Sequence, residues 1–277
     1  MSDTQVLLSG LAFGESPRWH QGRLWFSHWG TNEIIAVDPQ GESEVVAHVP
    51  TSLPFCIDWL HDGRLLVVSG REGLLLRQEP SGELVTHATL SHLAPIWNEI
   101  VVDGRGNIYV NGGAFDAPGV IALITPDGAV RQVADGLAFP NGMAVTPDNR
   151  TLIVAESHAT CLTAFDIDAD GNLSRRRVWA DLAGLAPDGI CLDAEGAIWY
   201  ATVPGMCCAR VKEGGDVLQK IQLDRACFAC MLGGEDKRTL FMLAAEWHGF
   251  EHMSGQERSG QILIANMPVP GAGWPYE

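Results

Sequence analysis

The chain has 277 residues, and 18 lysines and arginines against 34 aspartates and glutamates give it a formal net charge of −16 at pH 7. A negative charge of this size disfavours nucleic acid and anionic membrane surfaces as partners. No apolar run approaches the length of a bilayer span, and the first ten residues lack the basic start and apolar core of a secretory signal, so we expect neither feature.

In chain order, the first predicted element is a strand over residues 5–11 that belongs to no repeat. A unit then recurs six times, each copy running from a short apolar segment through an Asp/Gly-rich turn into a second apolar segment. The second segments are separated by 41, 43, 44, 46 and 42 residues and begin at Leu24, Leu65, Ile108, Leu152, Ile198 and Leu240. This period is typical of a propeller blade made of four antiparallel strands.

The repeats therefore predict an all-β fold, a six-bladed β-propeller, with residues 1–277 as a single domain. A third strand follows in every unit and a fourth in five of them, whereas the sixth unit reaches the end of the chain without one. We expect residues 5–11 to supply that strand, because closing the ring leaves no long unpaired edge. A helical repeat is disfavoured because the apolar stretches are short, rich in Val, Ile, Trp and Phe, and interrupted by frequent turns.

The first strand of each unit would line the central channel, and it carries an equivalent position nine to eleven residues before the second segment. Four of these six positions bear a side-chain oxygen, the full set being Glu15, Cys56, Asn98, Asn141, Asp188 and Cys230. Carboxylate and amide oxygens are the ligands that hard cations prefer, so the pattern predicts one divalent ion at one mouth of the channel. Ca²⁺ is the first expectation, with Zn²⁺, Mn²⁺ or Mg²⁺ as alternatives. The competing interpretation is that Asn141-Gly142 and Asp188-Gly189 are ordinary turn dipeptides.

These residues occur in motifs that resemble the family of senescence marker protein (regucalcin), gluconolactonase and luciferin-regenerating enzyme, with squid-type diisopropyl fluorophosphatase as a more distant relative. The resemblance covers nearly the whole chain and rests on GESPRW at 14–19, FPNG at 139–142, PDG at 187–189 and GAGWP at 271–275. It implies a six-bladed propeller in which Glu15, Asn141 and Asp188 hold the metal. Asn98, in an Asn-Glu motif, would contact metal, bound water or substrate.

One departure from that family concerns the substrate. Sugar lactonases of this kind often carry an arginine two residues before Asn98, where this chain has Ile96. The loops after the second strands should rim the same mouth, and they contribute Trp29, His158 and Trp247 as expected substrate contacts. The loop that carries Trp247 also places Phe250 at this rim. A rim this aromatic favours a less polar lactone or ester. In the alternative interpretation, the tryptophans merely cover the core.

The sequence thus predicts a metal-dependent hydrolase of a small cyclic ester, a gluconolactonase-like enzyme in which the cation polarises the carbonyl. Asp188 is the candidate catalytic base or nucleophile. Two alternatives stay open: hydrolysis of phosphotriesters at the same site, and a non-catalytic propeller that binds a ligand or a protein partner around a structural ion.

The cysteines suggest the cellular environment. There are seven, an odd number without a regular framework, which indicates a reducing compartment, and we expect a cytoplasmic protein. Cys227 and Cys230 have the spacing of a zinc or redox pair, but residues three apart on a regular strand point to opposite faces. We therefore expect them to be separate, buried small residues.

Overall fold

The structure is a computed structural model that describes residues 4–249, 253 and 258–275. Within those residues it contains strands and no helix, arranged as six antiparallel sheets of four strands each. The predicted six-bladed propeller is confirmed. None of the described residues forms a helix long and apolar enough to cross a membrane.

Each sequence repeat forms one blade. The first three blades consist, from the inside outward, of β2 (Gly14–His20), β3 (Arg23–His28), β4 (Glu33–Val37) and β5 (Ser43–His48); β6 (Phe55–Trp59), β7 (Leu65–Ser69), β8 (Leu74–Gln78) and β9 (Leu84–Thr89); and β10 (Ile96–Val102), β11 (Ile108–Ala114), β12 (Ala117–Ile124) and β13 (Val130–Leu137). The fourth and fifth blades consist of β14 (Pro140–Val145), β15 (Thr151–Glu156), β16 (Cys161–Ile167) and β17 (Leu173–Asp181); and β18 (Ile190–Leu192), β19 (Ile198–Thr202), β20 (Cys207–Val211) and β21 (Val217–Gln222).

The sixth blade closes the ring as the sequence predicts. It takes β22 (Ala226–Gly233), β23 (Thr239–Ala245) and β24 (Gly260–Asn266) from the end of the chain and β1 (Gln5–Leu11) from its beginning. Strand β1 pairs antiparallel with β24, with Gln5 opposite Ile264 and Leu11 opposite Gly260. Backbone hydrogen bonds therefore tie the N-terminal strand to the last repeat, which removes the exposed edge that an open ring would have.

Burial follows the position of a strand within its blade. The second strands are almost wholly buried, because neighbouring blades cover both of their faces, and this explains why they read as continuous apolar runs. The outermost strands, such as β17 and β21, are mostly exposed. The innermost strands of adjacent blades pack against one another around the ring and form the wall of the central channel.

The expectation for Cys227 and Cys230 is confirmed in part: both are buried and free, but their side chains do not point to opposite faces. A β-bulge follows Cys227, where the pairing of β22 with β23 shifts by one residue before Ala229. The extra residue changes the phase of the strand, and both thiols then interact with the Cys208 thiol of the neighbouring blade. All seven cysteines are buried and none forms a disulfide.

Candidate functional site

The residues that the sequence singles out line one cavity at one end of the central channel, here called the upper end. The cavity has a volume of about 480 Å³, within the range of small-molecule sites. Its lining includes every predicted metal, catalytic and substrate-contacting residue: Glu15, Trp29, Asn98, Asn141, His158, Asp188 and Trp247. Their roles remain predictions, but their convergence is a structural fact.

The floor of the cavity is built by two dipeptides that do not form turns. Neither Gly142 nor Gly189 has a positive φ. A Cβ at Gly142 would lie 2.7 Å from the carbonyl oxygen of Asp188, and a Cβ at Gly189 would lie 2.7 Å from the Cα of Ala229. The glycines thus allow the innermost strands of three neighbouring blades to approach closely. This geometry disfavours the turn interpretation and places the preceding Asn141 and Asp188 side by side.

Glu15 is oriented by an unusual backbone conformation at the next residue. Ser16 is fully buried and has a φ of 50°, in the left-handed region. Its backbone N–H donates to Glu15 Oε2 at 2.9 Å, and its Oγ accepts from the N–H of Ile57 at 3.1 Å. Strained residues of this kind persist where surrounding contacts fix them, and they are frequent at functional sites.

The two carboxylates of the floor repel each other. Burial raises the pKa of Glu15 well above its usual value, and the negative charge of Asp188 raises it further. Burial also raises the pKa of Asp188, with a contribution from the charge of Glu99. Asn141 donates a hydrogen bond to Asp188, which favours the ionised form but does not offset the burial.

The amides complete the floor. Asn98 Nδ2 donates to Asn141 Oδ1 at 3.0 Å, and Asn111 Nδ2 donates to the Asn141 carbonyl at 2.6 Å. Ser157 Oγ donates to the Pro187 carbonyl at 2.6 Å, which ties the fourth blade to the segment that carries Asp188. Rotation of an amide about its terminal bond exchanges its donor and acceptor, so that either asparagine can turn an oxygen toward a cation.

This donor set fits a divalent cation. Glu15 and Asp188 are two acidic groups in a site with a low local dielectric, and Arg18, whose charge reaches Glu15, is already bound to Glu99. A cation between the carboxylates would remove their repulsion and keep both ionised. The described residues contain no group of three or more His, Cys, Asp and Glu side chains arranged to hold a metal, so amide oxygens would have to contribute. An all-oxygen set of this composition suits Ca²⁺.

A hydrogen-bond network beneath the floor was not predicted from the sequence. Glu99 Oε1 accepts from Arg18 Nη2 at 2.9 Å and from Ser16 Oγ at 3.3 Å. The Glu99 N–H donates to Asn111 Oδ1, and Asn111 in turn holds Asn141. Glu99 therefore connects the segments that carry Glu15 and Asn141. Both residues lie in motifs that are visible in the sequence, since Glu99 follows Asn98 and Arg18 belongs to GESPRW. Their contact, however, joins the first and third blades, which the repeats do not predict.

The walls of the cavity are apolar and aromatic. Trp29 is 7% exposed and donates its indole N–H to the Phe55 carbonyl at 2.6 Å, so most of this ring belongs to the core. Trp247 packs edge-on against Phe228 at 5.5 Å between ring centroids. Ile96, which replaces the expected arginine, also lines the cavity.

The outer rim adds a second aromatic group. Phe139 has a φ of 58° and stacks on His158, with ring centroids 4.6 Å apart. It also lies 5.2 Å from Phe115, which is 54% exposed. Phe250, predicted for the same rim, lies outside the described residues.

Cys56 and Cys230 occupy the register positions of the site without lining the cavity. The Cys230 thiol points away from it, toward the Trp199 carbonyl at 3.5 Å and the Gly189 carbonyl at 3.7 Å. Burial raises the pKa of the Cys56 thiol, and the charges of Glu99 and Glu15 raise it further. A thiol held in its protonated form is a poor nucleophile.

Comparison with known proteins adds independent information. Residues 13–246 match the family described as SMP-30/Gluconolactonase/LRE-like region. The chain is 27% identical over 262 residues to a pentonolactonase of Haloferax volcanii, covering 90% of this chain and 87% of the relative. It is 25% identical over 276 residues to a 6-deoxy-6-sulfogluconolactonase of Pseudomonas putida, covering 95% and 94%. Among solved structures, a luciferin-regenerating enzyme superposes with a TM-score of 0.85 at 18% identity, covering 99% of this chain and 98% of the other, which shows the shared fold.

Proposed function

Because this chain belongs to the SMP-30/gluconolactonase/LRE-like family, we propose that it is a lactone hydrolase that requires one divalent cation and acts on a lactone less polar than a sugar lactone. The observation that carries the proposal is a pair of electrostatically interacting carboxylates, Glu15 and Asp188, that line the floor of an aromatic cavity. Two of the relatives are named as lactonases, which supports the reaction type.

Glu15, Asn141 and Asp188 are the residues that would hold the cation, with Asn98 beside them. When bound, a divalent cation polarises a carbonyl oxygen and stabilises the negative charge that develops there. Glu15 serves as the anchor, since Ser16 fixes its carboxylate. Asp188 is partly exposed to the cavity, and its carboxylate is the candidate base that takes a proton from the attacking water, or the nucleophile itself.

The walls determine which lactones fit. Asn98 supplies a polar contact beside the reacting carbonyl, and His158 supplies one at the rim. Trp29 and Trp247 offer aromatic surface, and Ile96 offers methyl groups where an arginine would contact hydroxyls. The aromatic and aliphatic part of this lining favours a ring with an alkyl or aryl substituent, because ring hydroxyls that face it would lose hydrogen bonds to water without replacing them.

The test is hydrolysis of a substrate panel by the purified protein: aldonolactones, alkyl- and aryl-substituted lactones, aryl esters and phosphotriesters. Each would be assayed with and without chelator, and after addition of Ca²⁺, Zn²⁺, Mn²⁺ or Mg²⁺. We expect the highest kcat/KM on a substituted apolar lactone, loss of activity in chelator, and recovery with Ca²⁺.

Glu15→Gln should abolish metal retention, measured by elemental analysis. Glu213→Gln makes the same chemical change at an exposed residue outside the cavity and should leave both metal content and turnover unchanged. Full activity in chelator would refute the metal requirement. A preference for aldonolactones over every apolar lactone would refute the substrate class, and activity confined to phosphotriesters would refute the reaction.

A further inference from the structure

Arg71 lines the rim of the cavity and forms no ion pair with any of the described residues. The residue follows β7, and its backbone is fixed on both sides by neighbouring segments. The N–H of Gly70 donates to the Pro54 carbonyl at 3.0 Å, and the N–H of Trp97 donates to the Gly70 carbonyl at 3.0 Å. A Cβ at Gly70 would lie 2.3 Å from the Trp97 carbonyl oxygen, so this part of the rim is tightly packed and rigid.

One nitrogen of the Arg71 guanidinium, Nε, is held by a hydrogen bond. Nε donates to the Leu53 carbonyl oxygen at 2.7 Å, and this is the only hydrogen bond that the Arg71 side chain makes with the described residues. The two terminal nitrogens donate to none of the described residues, and their N–H groups can donate in parallel to a ligand. A guanidinium held in this way has already lost much of its conformational freedom, which lowers the cost of binding a ligand.

The adjacent acid does not neutralise Arg71. Glu72 accepts hydrogen bonds from the hydroxyls of Thr51, Ser52 and Ser69, at 2.7, 2.6 and 2.6 Å. Burial alone would raise the pKa of Glu72, but these hydrogen bonds outweigh it and lower the pKa to about 2. Its carboxylate is thus ionised but fully engaged with the segment on its other side.

Negative and positive side chains therefore lie in different parts of the cavity. Its floor carries Glu15 and Asp188, and among the described residues that line it Arg71 is the one with a permanent positive charge. Apolar side chains such as Ile96 and Phe228 line the rest of the cavity. A neutral ligand would leave the guanidinium without a partner, whereas a carboxylate or sulfonate matches its planar pair of donors.

We propose that Arg71 forms a subsite for an oxyanionic substituent of the substrate, a carboxylate or sulfonate attached to an apolar body that fills the aromatic part of the cavity. The ligand is taken to be the lactone substrate, and to that extent the proposal rests on the proposed function. It goes further in naming the residue that selects an anion in a protein of net charge −16.

The test measures binding, which does not require hydrolysis. Isothermal titration calorimetry would compare 3-phenylpropionate, 2-phenylethanesulfonate and the neutral 3-phenylpropionamide on the metal-loaded protein. We expect both anions to bind at least about tenfold more tightly than the amide, a difference of about 1.4 kcal/mol. Arg71→Met should remove that preference, and Arg71→Lys should keep part of it, because lysine retains the charge but not the planar fork.

Arg175→Met is the matched control. It makes the same change in net charge on the outer strand of the fourth blade, where the Arg175 side chain is 84% exposed, and it should leave the preference intact. Equal binding of anions and amide by the unaltered protein would overturn the proposal. So would a preference that survives in Arg71→Met, since the anion would then be held by the cation at the floor.

The two proposals fail in different ways. If no lactone is hydrolysed but the anions still bind through Arg71, the subsite stands and the lactonase activity is wrong. If lactones with and without an anionic substituent are hydrolysed equally well, and Arg71→Met leaves their kcat/KM unchanged, the lactonase stands and the subsite is wrong.

Discussion

Both ends of the central channel bury charged groups, and they treat them differently. The lower end is a smaller pocket of about 140 Å³ lined by Arg18 and Asp58 among others. There, Asp58 accepts hydrogen bonds from the backbone N–H groups of Trp59 at 2.9 Å and Val102 at 2.8 Å. Arg18 Nη2 donates to Glu99 and to the Ile100 carbonyl, at 2.9 and 2.7 Å.

At the upper end, Glu15 and Asp188 both line the cavity, the charge of Asp188 acts on Glu15, and burial raises the pKa of both. Buried charges that serve only stability are normally paired, because an unpaired one is costly. At the lower end Arg18 forms an ion pair with Glu99 and lies 4.0 Å from Asp58, although burial still raises the pKa of Asp58. At the upper end, neither Glu15 nor Asp188 has an ion-pair partner among the described residues. We therefore expect the upper carboxylates to bind a ligand, and removing charges at either end tests this expectation.

The largest effect is expected from Arg18→Met. This change leaves Glu99 buried without its ion-pair partner, which should reduce the free energy of unfolding by about 3–5 kcal/mol. Urea denaturation of the metal-loaded protein measures it. Adding Glu99→Gln to the same chain should recover most of the loss, since the unpaired charge is then gone. If Arg18→Met alone lowers the free energy of unfolding by less than about 1 kcal/mol, the Arg18–Glu99 ion pair does not offset the cost of burying Glu99.

Asp188→Asn should act in opposite directions on activity and stability. With metal in excess, turnover should fall by about a hundredfold or more, the usual contribution of a positioned base. In chelator at pH 8, the melting temperature should rise, because one of two repelling carboxylates has been removed. Occupancy of the metal must be checked directly. Near-normal turnover of the metal-loaded variant would make Asp188 a ligand and nothing more, and an unchanged melting temperature would remove the contrast between the two ends.

The pH dependence of the free energy of unfolding should reveal the cost of burying the Asp58 carboxylate at the lower end. Burial raises the pKa of Asp58 to about 6, although Arg18 and two backbone N–H groups oppose the shift. Since the folded protein holds this proton more tightly than the unfolded chain, the contribution of Asp58 is greatest below pH 3.8 and is lost as the pH rises through about 6.

Asp58→Asn removes this titration. The difference in free energy of unfolding between the original protein and this variant should therefore change between pH 4 and 6 and be constant above pH 7. Denaturant melts at a series of pH values measure it. A difference that does not vary with pH would mean that Asp58 titrates normally in the folded state.

The smallest effect is expected outside the channel. Arg210 pairs with Asp193, which is fully buried, and with Glu195, whose side chain is 65% exposed. Glu195→Gln should cost less than about 1 kcal/mol, and the cost should shrink further in high salt. A loss as large as that of Arg18→Met would show that burial is not what separates costly charges from inexpensive ones in this protein.

The sequence by itself determined the architecture and the register of the site. A repeat of about forty residues places equivalent positions of successive units at equivalent positions of successive blades. Glu15, Asn98, Asn141 and Asp188 could therefore be brought to one end of the channel by counting. The role of residues 5–11 as the closing strand could also be predicted, because the sixth unit lacks a fourth strand and would otherwise leave an unpaired sheet edge.

Tertiary structure decided what those positions do to one another. The bulge after Cys227 reversed the expected orientation of the thiols, since one extra residue changes the phase of a strand and no local signal marks it. Gly142 and Gly189 look like turn residues in the sequence and act instead as points of close approach between blades. The Arg18–Glu99 pair joins residues 81 positions apart. Periodicity is encoded within each unit and can be read locally, whereas burial, repulsion and contacts between blades exist only once the ring has closed.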